Sequence, residues 1–272
     1  MPSPTALAGR SAPIRELIVD ASRPPDNRLD SAVSRIDAVV GRVAARYGGN
    51  SIESVQAATE AGVALIQDWK RYDLARPHLE RALALSRTVF GTDHRETAYA
   101  IQDVAVVRNE LRPELFVQWT EPLAQEALDV RRRVLGRDHL ETAGSEHFLA
   151  SWIYASWSGQ RQRNARSPML PRARDLARHA LGVLEGAYGV GHYEVVGTRY
   201  LLAEIALAMR DFALVEELSL QLTHRYEAAC NPGDGPDAAE LLADALRGLS
   251  RPAEAEALEA AMDACGGGAG SR

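Results

Sequence analysis

Three histidines stand in nearly the same local sequence, and each could ligate a metal or move a proton. The segment VFGTDHRETA at 89–98 recurs as VLGRDHLETA at 134–143, and YGVGHYEVV at 188–196 is a looser copy. Imidazole is the commonest metal ligand and a frequent general base. A metal site would require these histidines to converge, whereas copies that recur along the chain indicate stacked structural repeats. We therefore predict that His94, His139 and His192 bind no metal and have no catalytic role.

The repeated segments have the composition of a boundary between two helices. A glycine ends one helix because it tolerates positive φ. Asn50, Asp93 or Asp138, two residues after that glycine, is predicted to cap the next helix, and the glutamate three residues later completes a capping box. The looser fourth copy has Gly191 at the cap position. This frame places each histidine at the first helical position.

Between these boundaries the apolar spacing predicts pairs of helices. The predicted pairs are 51–70 with 72–90, 95–110 with 113–135, 140–157 with 172–188, and 193–210 with 212–229. Helices at 14–21 and 30–46 precede them, and a short pair at 238–249 and 253–264 follows. No segment alternates like a strand, so we predict an all-α fold.

Helix pairs with a period of this length indicate a solenoid. The predicted organisation is a degenerate leading repeat over 1–46, four repeats over 47–230, a capping helix pair over 231–264 and a disordered tail over 265–272. The second repeat carries extra residues before Trp119, and the third has an insertion at 158–171. Insertions in a solenoid are expected to project from one edge, where they often carry binding.

The segment YDLARPHLERALALSRTVFGTDH at 72–94 resembles the tetratricopeptide repeat, in the longer form found in kinesin light chains and many bacterial proteins. EPLAQEALDVRRRVLGRDH at 121–139 is similar to the same pattern. The resemblance covers about residues 47–230. It implies a right-handed superhelix of antiparallel helix pairs, whose first helices line a concave groove that holds a peptide.

Composition argues against several classes of function. The formal net charge of −6 argues against direct nucleic-acid binding. Two cysteines, Cys230 and Cys265, provide neither a disulfide framework nor a Cys-rich metal site. The sequence contains no phosphate loop, HExxH or GxSxG motif, and no membrane span or signal peptide. We predict a cytoplasmic protein that is not an enzyme and has no cofactor.

The resemblance also identifies which side chains are expected to line the groove. Aligning the Leu-Ala of the repeat with residues 104–105 and 149–150 shows that the peptide-clamping asparagines of many relatives are absent. Glu60 and Phe148 occupy related positions. The predicted groove residues are Tyr99, Gln102, Asp103, Asn109, His147, Ser151, Tyr154, Tyr200 and Glu204. This aromatic, partly acidic lining suits a ligand with apolar and basic side chains.

Positive charge is concentrated in the middle of the chain. Residues 131–178 contain ten arginines and four acids, a local charge of +6, which leaves −12 for the rest. The predicted arginine-rich edge consists of Arg161, Arg163, Arg166, Arg172 and Arg174. Charge segregation of this size can steer an acidic partner toward its binding surface, although a solvated helix face explains it equally well.

We therefore predict a non-enzymatic scaffold that binds a protein or peptide partner through the groove and the arginine-rich edge. One alternative is a regulatory or sensor subunit of a signalling or transcription-control system, which would act through a partner chain. A second is a small-molecule-binding or enzymatic repeat protein with a pocket near His147 and Trp152.

Overall fold

The computed structural model describes residues 12–160, 164–227 and 235–266. Within these ranges the chain forms twelve α-helices, two short helical turns and no strand, which confirms the predicted all-α class. The chain divides into two compact units, Met1–Arg137 and Asp138–Arg272, here called unit 1 and unit 2. No described helix is long and apolar enough to cross a membrane.

Unit 1 is built from three successive helix pairs. Its helices are α1 (Ala12–Ser22), α2 (Leu29–Tyr47), α3 (Ile52–Trp69), α4 (Tyr72–Val89), α5 (Arg95–Leu111) and α6 (Glu121–Leu135). Most connections between them are short, so neighbouring helices run antiparallel. A continuous apolar core runs through the unit and includes Ile36, Leu65, Leu79, Ile101 and Val104.

Unit 2 repeats the same arrangement. Its helices are α7 (Leu140–Ser158), α8 (Met169–Tyr188), α9 (Tyr193–Met209), α10 (Phe212–Glu227), α11 (Gly235–Gly248) and α12 (Pro252–Gly266). Leu149, Ile153, Leu170 and Ile205 are fully buried in its core. Helix α8 begins before the predicted position 172, so the last part of the predicted insertion at 158–171 is helical.

The four glycines of the repeated segments adopt the conformation that the sequence predicts. Gly48, Gly91, Gly136 and Gly189 have φ angles of 93°, 88°, 93° and 78°. A residue with a β-carbon is strained in this region, whereas glycine is not. Glycine is therefore required to end α2, α4, α6 and α8.

The predicted cap residues are wrong by one position. His94, His139 and His192 are themselves the N-cap residues of α5, α7 and α9. In each case the backbone N–H two residues later donates to the histidine Nδ1, over 3.1, 3.2 and 3.4 Å. Ser51 has this role in α3, where its hydroxyl accepts from the Ser54 N–H. The histidines therefore satisfy helix amides that would otherwise lack a partner.

Ring stacking supports the histidine cap at two of the three boundaries. The His94 ring stacks on Phe90 at the end of α4, with centroids 4.9 Å apart, and His192 stacks on Tyr188 at 4.3 Å. The stack fixes the imidazole beside the first amides of the next helix. Gly191 precedes the true cap and is not the cap itself.

The aspartates of the same segments make ion pairs. Asp93 Oδ1 lies 2.5 Å from Arg133 Nη2, and Asp138 Oδ1 lies 3.1 Å from His179 Nε2. Both aspartates are exposed at these contacts. They link the helix boundary to the side of a neighbouring helix and do not cap it.

The extra residues before Trp119 form two irregular turns ahead of α6. Residues Pro113–Leu115 form a 3₁₀ turn, and residues Phe116–Thr120 form a π-helical turn. A π turn accommodates inserted residues without interrupting the helix that follows. Phe116 is buried and anchors the insertion, whereas Val117 and Trp119 are exposed.

Candidate functional site

Three helices of unit 1 bring five polar side chains together, and we call this group the Asp103 cluster. It contains Glu60 of α3, Tyr99, Gln102 and Asp103 of α5, and Arg131 of α6. The Arg131 guanidinium lies 4.6 Å from the centroid of the Tyr99 ring and donates to Gln102 Oε1. Three of the predicted groove residues therefore share one site.

The structure corrects the sequence-based interpretation of Arg131 as part of an exposed positive segment. The sequence counts it among the ten arginines of the positive segment, but only 2% of its surface is exposed. A buried guanidinium cannot act as a solvated edge charge. It holds two α5 side chains in place, through the Gln102 hydrogen bond and the cation–π contact with Tyr99. Arg95 also approaches the Tyr99 ring, at 5.6 Å from the centroid.

The Asp103 carboxylate is the most perturbed group of the cluster. Its side chain is partly exposed to solvent. Burial raises its pKa to about 7, with Glu60 adding to the rise and Arg131 opposing it. Among the described residues, none forms a hydrogen bond with this carboxylate.

Glu60 is a second carboxylate with restricted access to water. Its side chain is 17% exposed, and Arg15 Nε lies 3.8 Å from its Oε2. Burial raises the pKa of Glu60, and Arg15 partly offsets this effect. Asp103 and Glu60 are therefore two carboxylates of unit 1 that are each partly shielded from water.

In unit 2, the predicted groove residue His147 has a defined tautomer. Thr198 Oγ1 donates to the Glu194 carbonyl over 2.7 Å and lies 3.0 Å from His147 Nδ1. Because the hydroxyl hydrogen points to Glu194, Oγ1 accepts from the His147 Nδ1–H. Burial lowers the pKa of His147 although Glu194 opposes the change. The neutral ring therefore carries its lone pair on Nε2, where it can accept a hydrogen bond.

Aromatic side chains of α7 lie next to this histidine. The Phe148 ring meets the His147 ring edge-on at 5.9 Å, and Trp152 lies a further 5.9 Å from Phe148. All three side chains are partly exposed. An ordered hydrogen-bond acceptor beside aromatic surface is typical of a binding site.

Other predicted groove residues of unit 2 have partners within the fold. The Ser151 hydroxyl donates to the Phe148 carbonyl over 2.8 Å. Tyr154 stacks on Trp157 at 5.9 Å, and the Trp157 Nε1–H donates to the Asn164 carbonyl. These contacts stabilise the end of α7 and leave less of Ser151 and Tyr154 for a ligand.

The remaining three predicted groove residues differ in exposure. Tyr200 is half-buried and packs against the apolar cluster of Val196, Leu222 and Ala238. Glu204 is exposed, and Asn109 of unit 1 is half-buried. Tyr200 therefore belongs in large part to the core of unit 2.

The arginine-rich edge is only partly described. Arg161 and Arg163 lie outside the described residues. Arg166 and Arg172 are exposed, and Arg174 Nη2 lies 2.9 Å from Asp175 Oδ1. Two arginines of the predicted edge are thus placed at the surface of unit 2, and a third has an acidic neighbour.

The sequence analysis did not identify a buried carboxylate–imidazole pair. His179 of α8 places Nδ1 2.5 Å from Glu146 Oε2 and Nε2 3.1 Å from Asp138 Oδ1. Glu146 is fully buried. Both ring nitrogens have carboxylate partners, so neither is open to a substrate, and we assign the group a structural role. Among the described residues, no group of three such side chains could hold a metal ion.

Antiparallel helix pairs that meet at a positive-φ glycine define the chain as a helical-repeat protein. Residues 62–96 and 120–141 match the family model described as tetratricopeptide repeat. These two segments are therefore similar to the tetratricopeptide repeat, as the sequence predicts. Among curated proteins, no sequence match was found.

Solved structures share this fold at low sequence identity. One contains nearly identical TPR-like repeats from a Podosopora anserina protein assigned as a kinesin light chain, with 16% identity and a TM-score of 0.61. The match covers 82% of this chain and 98% of that one. BtubC (BKLC) from P. vanneervenii has 18% identity and a TM-score of 0.58, covering 84% of this chain and 94% of its own. The predicted likeness to kinesin-light-chain repeats is confirmed for the fold.

Proposed function

We propose that the protein is a non-enzymatic scaffold that binds an extended segment of a partner protein through the first helices of its repeats. Tetratricopeptide repeats in general mediate protein–protein interaction. The main support is the pair of partly exposed polar groups on first helices, Asp103 on α5 and His147 on α7. Binding sites typically place a few oriented polar groups within apolar or aromatic surroundings.

In each unit, side chains at or beside these positions are held by contacts within the fold. In unit 1, Gln102 and Tyr99 are held by the buried Arg131. In unit 2, Thr198 holds the His147 ring. Groups that are already ordered lose little conformational entropy when a ligand binds, which favours recognition over a purely structural role.

Catalysis is not part of the proposal. The carboxylate–imidazole pair has both ring nitrogens engaged, and His147 has a hydroxyl and not a carboxylate behind its Nδ1. Within the described ranges we find no nucleophile beside a general base of the kind that acyl or phosphoryl transfer requires. Nor does any described feature favour the regulatory-subunit or small-molecule alternatives.

A displayed peptide library tests the proposal directly. Random peptides would be selected on the full-length chain, and an enriched peptide would be titrated against His147→Gln of α7 and against His78→Gln of α4. The same substitution on a second helix is the matched control, because His78 lies outside the proposed binding surface. We expect His147→Gln to weaken binding by tenfold or more, about 1.4 kcal/mol, and His78→Gln to leave it unchanged.

Two outcomes would contradict the proposal. The first is that the full-length chain enriches no peptide at all. The second is that the α4 variant loses affinity as strongly as the α7 variant, because the binding surface would then not lie on the first helices.

A further inference from the structure

Aromatic side chains are exposed where α8 ends and α9 begins, and we call Tyr188, His192 and Tyr193 the Tyr193 surface. The His192 ring stacks on Tyr188 with centroids 4.3 Å apart and lies 4.5 Å from the Tyr193 ring. Tyr188 is 43% exposed and Tyr193 is 75% exposed. Gly189 and Gly191 stand between them and have no side chain that could cover the rings. Contiguous exposed apolar surface is typical of an interaction site.

The sequence of this boundary differs from that of the corresponding boundaries. Residues 186–193, GAYGVGHY, include no charged side chain, whereas FGTDHR at 90–95 and LGRDHL at 135–140 each include an aspartate and an arginine. The aspartates of those copies form ion pairs with neighbouring helices. Gly191 stands at the aspartate position and cannot form such a pair. This boundary therefore keeps its histidine cap but presents aromatic rings in place of charges.

Glu194 supplies a negative charge beside the rings. The Tyr193 hydroxyl donates to Glu194 Oε1 over 3.1 Å. Among the described residues, no cation forms an ion pair with Glu194. The arginine nearest to it in the sequence, Arg199, is 2% exposed and pairs with Glu185. A cation supplied by a partner would therefore find a carboxylate that is not already neutralised by the described part of the chain.

A tyrosine of unit 1 shows which group fits such a ring. Tyr47 precedes its boundary glycine as Tyr188 does, and the Arg46 guanidinium lies 5.2 Å from the Tyr47 ring centroid. Residue 187 is alanine, and within the part of the chain that the structure describes no guanidinium lies over Tyr188 or Tyr193. A guanidinium is planar and stacks on an aromatic face better than an ammonium does. The ring and the carboxylate together therefore favour an arginine as occupant.

The size of the surface favours a short segment of a partner over a second copy of this chain. A tyrosine side chain offers about 150–250 Å², so the exposed fractions of Tyr188 and Tyr193 amount to roughly 180–300 Å². A stable dimer buries about 800 Å² on each partner. One arginine and the residues next to it match the smaller area.

We propose that the Tyr193 surface binds an arginine side chain of a partner protein, whose guanidinium stacks on the Tyr193 ring and pairs with the Glu194 carboxylate. The surface lies at a helix boundary and includes none of the predicted groove residues, so the proposal does not depend on the proposed function. Exposed contacts of this kind are individually modest. The arginine is therefore recognised together with the residues that flank it.

The test begins with a counter-selected peptide library. Random displayed peptides would be selected on the full-length chain and then depleted on Tyr193→Ala, so that only peptides that need this ring remain. We expect the remaining peptides to share an arginine at one position. They should bind Tyr47→Ala as tightly as the parent. That variant is the matched control, because Tyr47 is also exposed at a helix boundary but already lies against Arg46.

A double-mutant cycle then pairs the two charges. The arginine of one selected peptide would be replaced by citrulline, which keeps the planar shape and removes the charge. We expect this change to weaken binding to the parent by about three- to tenfold, as exposed cation–π contacts and ion pairs do. Glu194→Gln should weaken the arginine peptide and have little further effect on the citrulline peptide.

A second variant separates ring stacking from general apolar contact. Tyr193→Leu keeps an apolar side chain and removes the aromatic face, so it should weaken the arginine peptide as Tyr193→Ala does. Because Tyr193 is 75% exposed, both replacements should leave the core intact, and circular dichroism would verify this. Full affinity in Tyr193→Leu would mean that the surface is merely apolar, and the proposal would be wrong.

Other outcomes would also overturn the proposal. One is that no peptide remains after depletion on Tyr193→Ala, and another is that the remaining peptides share no arginine. A third is that Glu194→Gln affects the arginine and citrulline peptides equally. The proposed function is tested separately by His147→Gln, which should not change the binding of these peptides.

Discussion

The Asp103 cluster of unit 1 and the His147 region of unit 2 differ in chemistry although both lie on first helices. The first contains two acids and a buried guanidinium, and its central carboxylate is partly shielded from solvent. The second is neutral and aromatic, with an imidazole fixed by a hydroxyl. Burial raises the pKa of Asp103 and lowers the pKa of His147, and both shifts favour the neutral form.

The helix boundaries of the two units, by contrast, are nearly identical. His94 in unit 1 and His139 in unit 2 cap their helices through the same atom and the same amide position. Each follows a glycine with φ near +90°. The repeat thus constrains where helices begin and end, and leaves the middle of each first helix free to diverge. Specificity is therefore expected in those central positions.

The largest effect is expected from two buried arginines among the described residues, Arg131 in unit 1 and Arg199 in unit 2. Arg131→Ala should destabilise the protein by about 3 kcal/mol, because it removes the cation nearest to a desolvated carboxylate and leaves Gln102 without its donor. Arg199→Ala should cost less, about 1–2 kcal/mol, since its partner Glu185 is 33% exposed and can be rehydrated.

Urea unfolding followed by circular dichroism would measure both changes. Arg87→Ala is the control, because the Arg87–Glu126 pair is exposed on both sides and should contribute little. Equal losses for Arg131 and Arg199 would mean that Asp103 does not depend on its neighbouring cation.

The pH dependence of stability should distinguish Asp103 from an ordinary surface acid. The pKa is about 7 in the folded state and near 3.8 when unfolded. The folded state therefore holds a proton that the unfolded state releases, and the associated stability is present below about pH 4 and lost as the pH rises through 7. At about pH 8, Asp103→Asn should be more stable than the parent by about 1–2 kcal/mol.

Thermal or urea unfolding at several pH values would test this prediction. The gain from Asp103→Asn should shrink as the solution is acidified, and Glu110→Gln, at an exposed position of the same helix, is the control. A destabilised Asp103→Asn at about pH 8 would show that the carboxylate has a stabilising partner in the folded state.

A smaller effect is expected at the helix boundaries, where the two units should respond alike. His94→Ala and His139→Ala should each cost about 1 kcal/mol, the usual loss when an N-cap is removed. Asp93→Ala should cost less than about 0.5 kcal/mol, because it breaks only an exposed ion pair with Arg133. Urea unfolding of the single variants would establish the order, and a larger loss for Asp93 would restore the aspartate as the cap.

Periodicity and glycine placement were sufficient to predict the fold, but the cap required three-dimensional information. Asp93 and His94 are adjacent, and either side chain can accept from a first-turn amide. At His94 the stack on Phe90 favours the histidine, and this stack depends on how α4 and α5 meet. The packing of α4 against α5 cannot be read from the sequence alone.

The candidate site was predicted in part for a similar reason. Tyr99, Gln102 and Asp103 follow from their place on a first helix, but Arg131 stands in a run of three arginines that suggests an exposed patch. The helical spacing of Arg131 indicates that it is buried. Ala124, Ala127, Leu128 and Arg131 fall on one helical face, and the first three are buried. His179 gave no such signal, because its partner Glu146 lies on another helix.

The smallest effect on stability, and the clearest kinetic one, is expected at the arginine-rich edge. Arg166 and Arg172 are exposed, so replacing both with serine should change stability by less than about 0.5 kcal/mol. Exposed charges act mainly on the association rate, and salt screens them within about 10 Å at 0.1 M. For a peptide that carries acidic residues, the double variant should associate several-fold more slowly at low salt and at the parental rate at high salt.

The same kinetic measurement contrasts this edge with the Asp103 cluster. Asp103→Asn should chiefly raise the dissociation rate, with a weak response to salt, because its charge is largely desolvated. Arg166→Ser and Arg174→Ser are also compared as single variants, since Asp175 already neutralises the Arg174 guanidinium. If the double variant associates as fast as the parent at low salt, the arginines do not steer the partner, and recognition rests on the first helices alone.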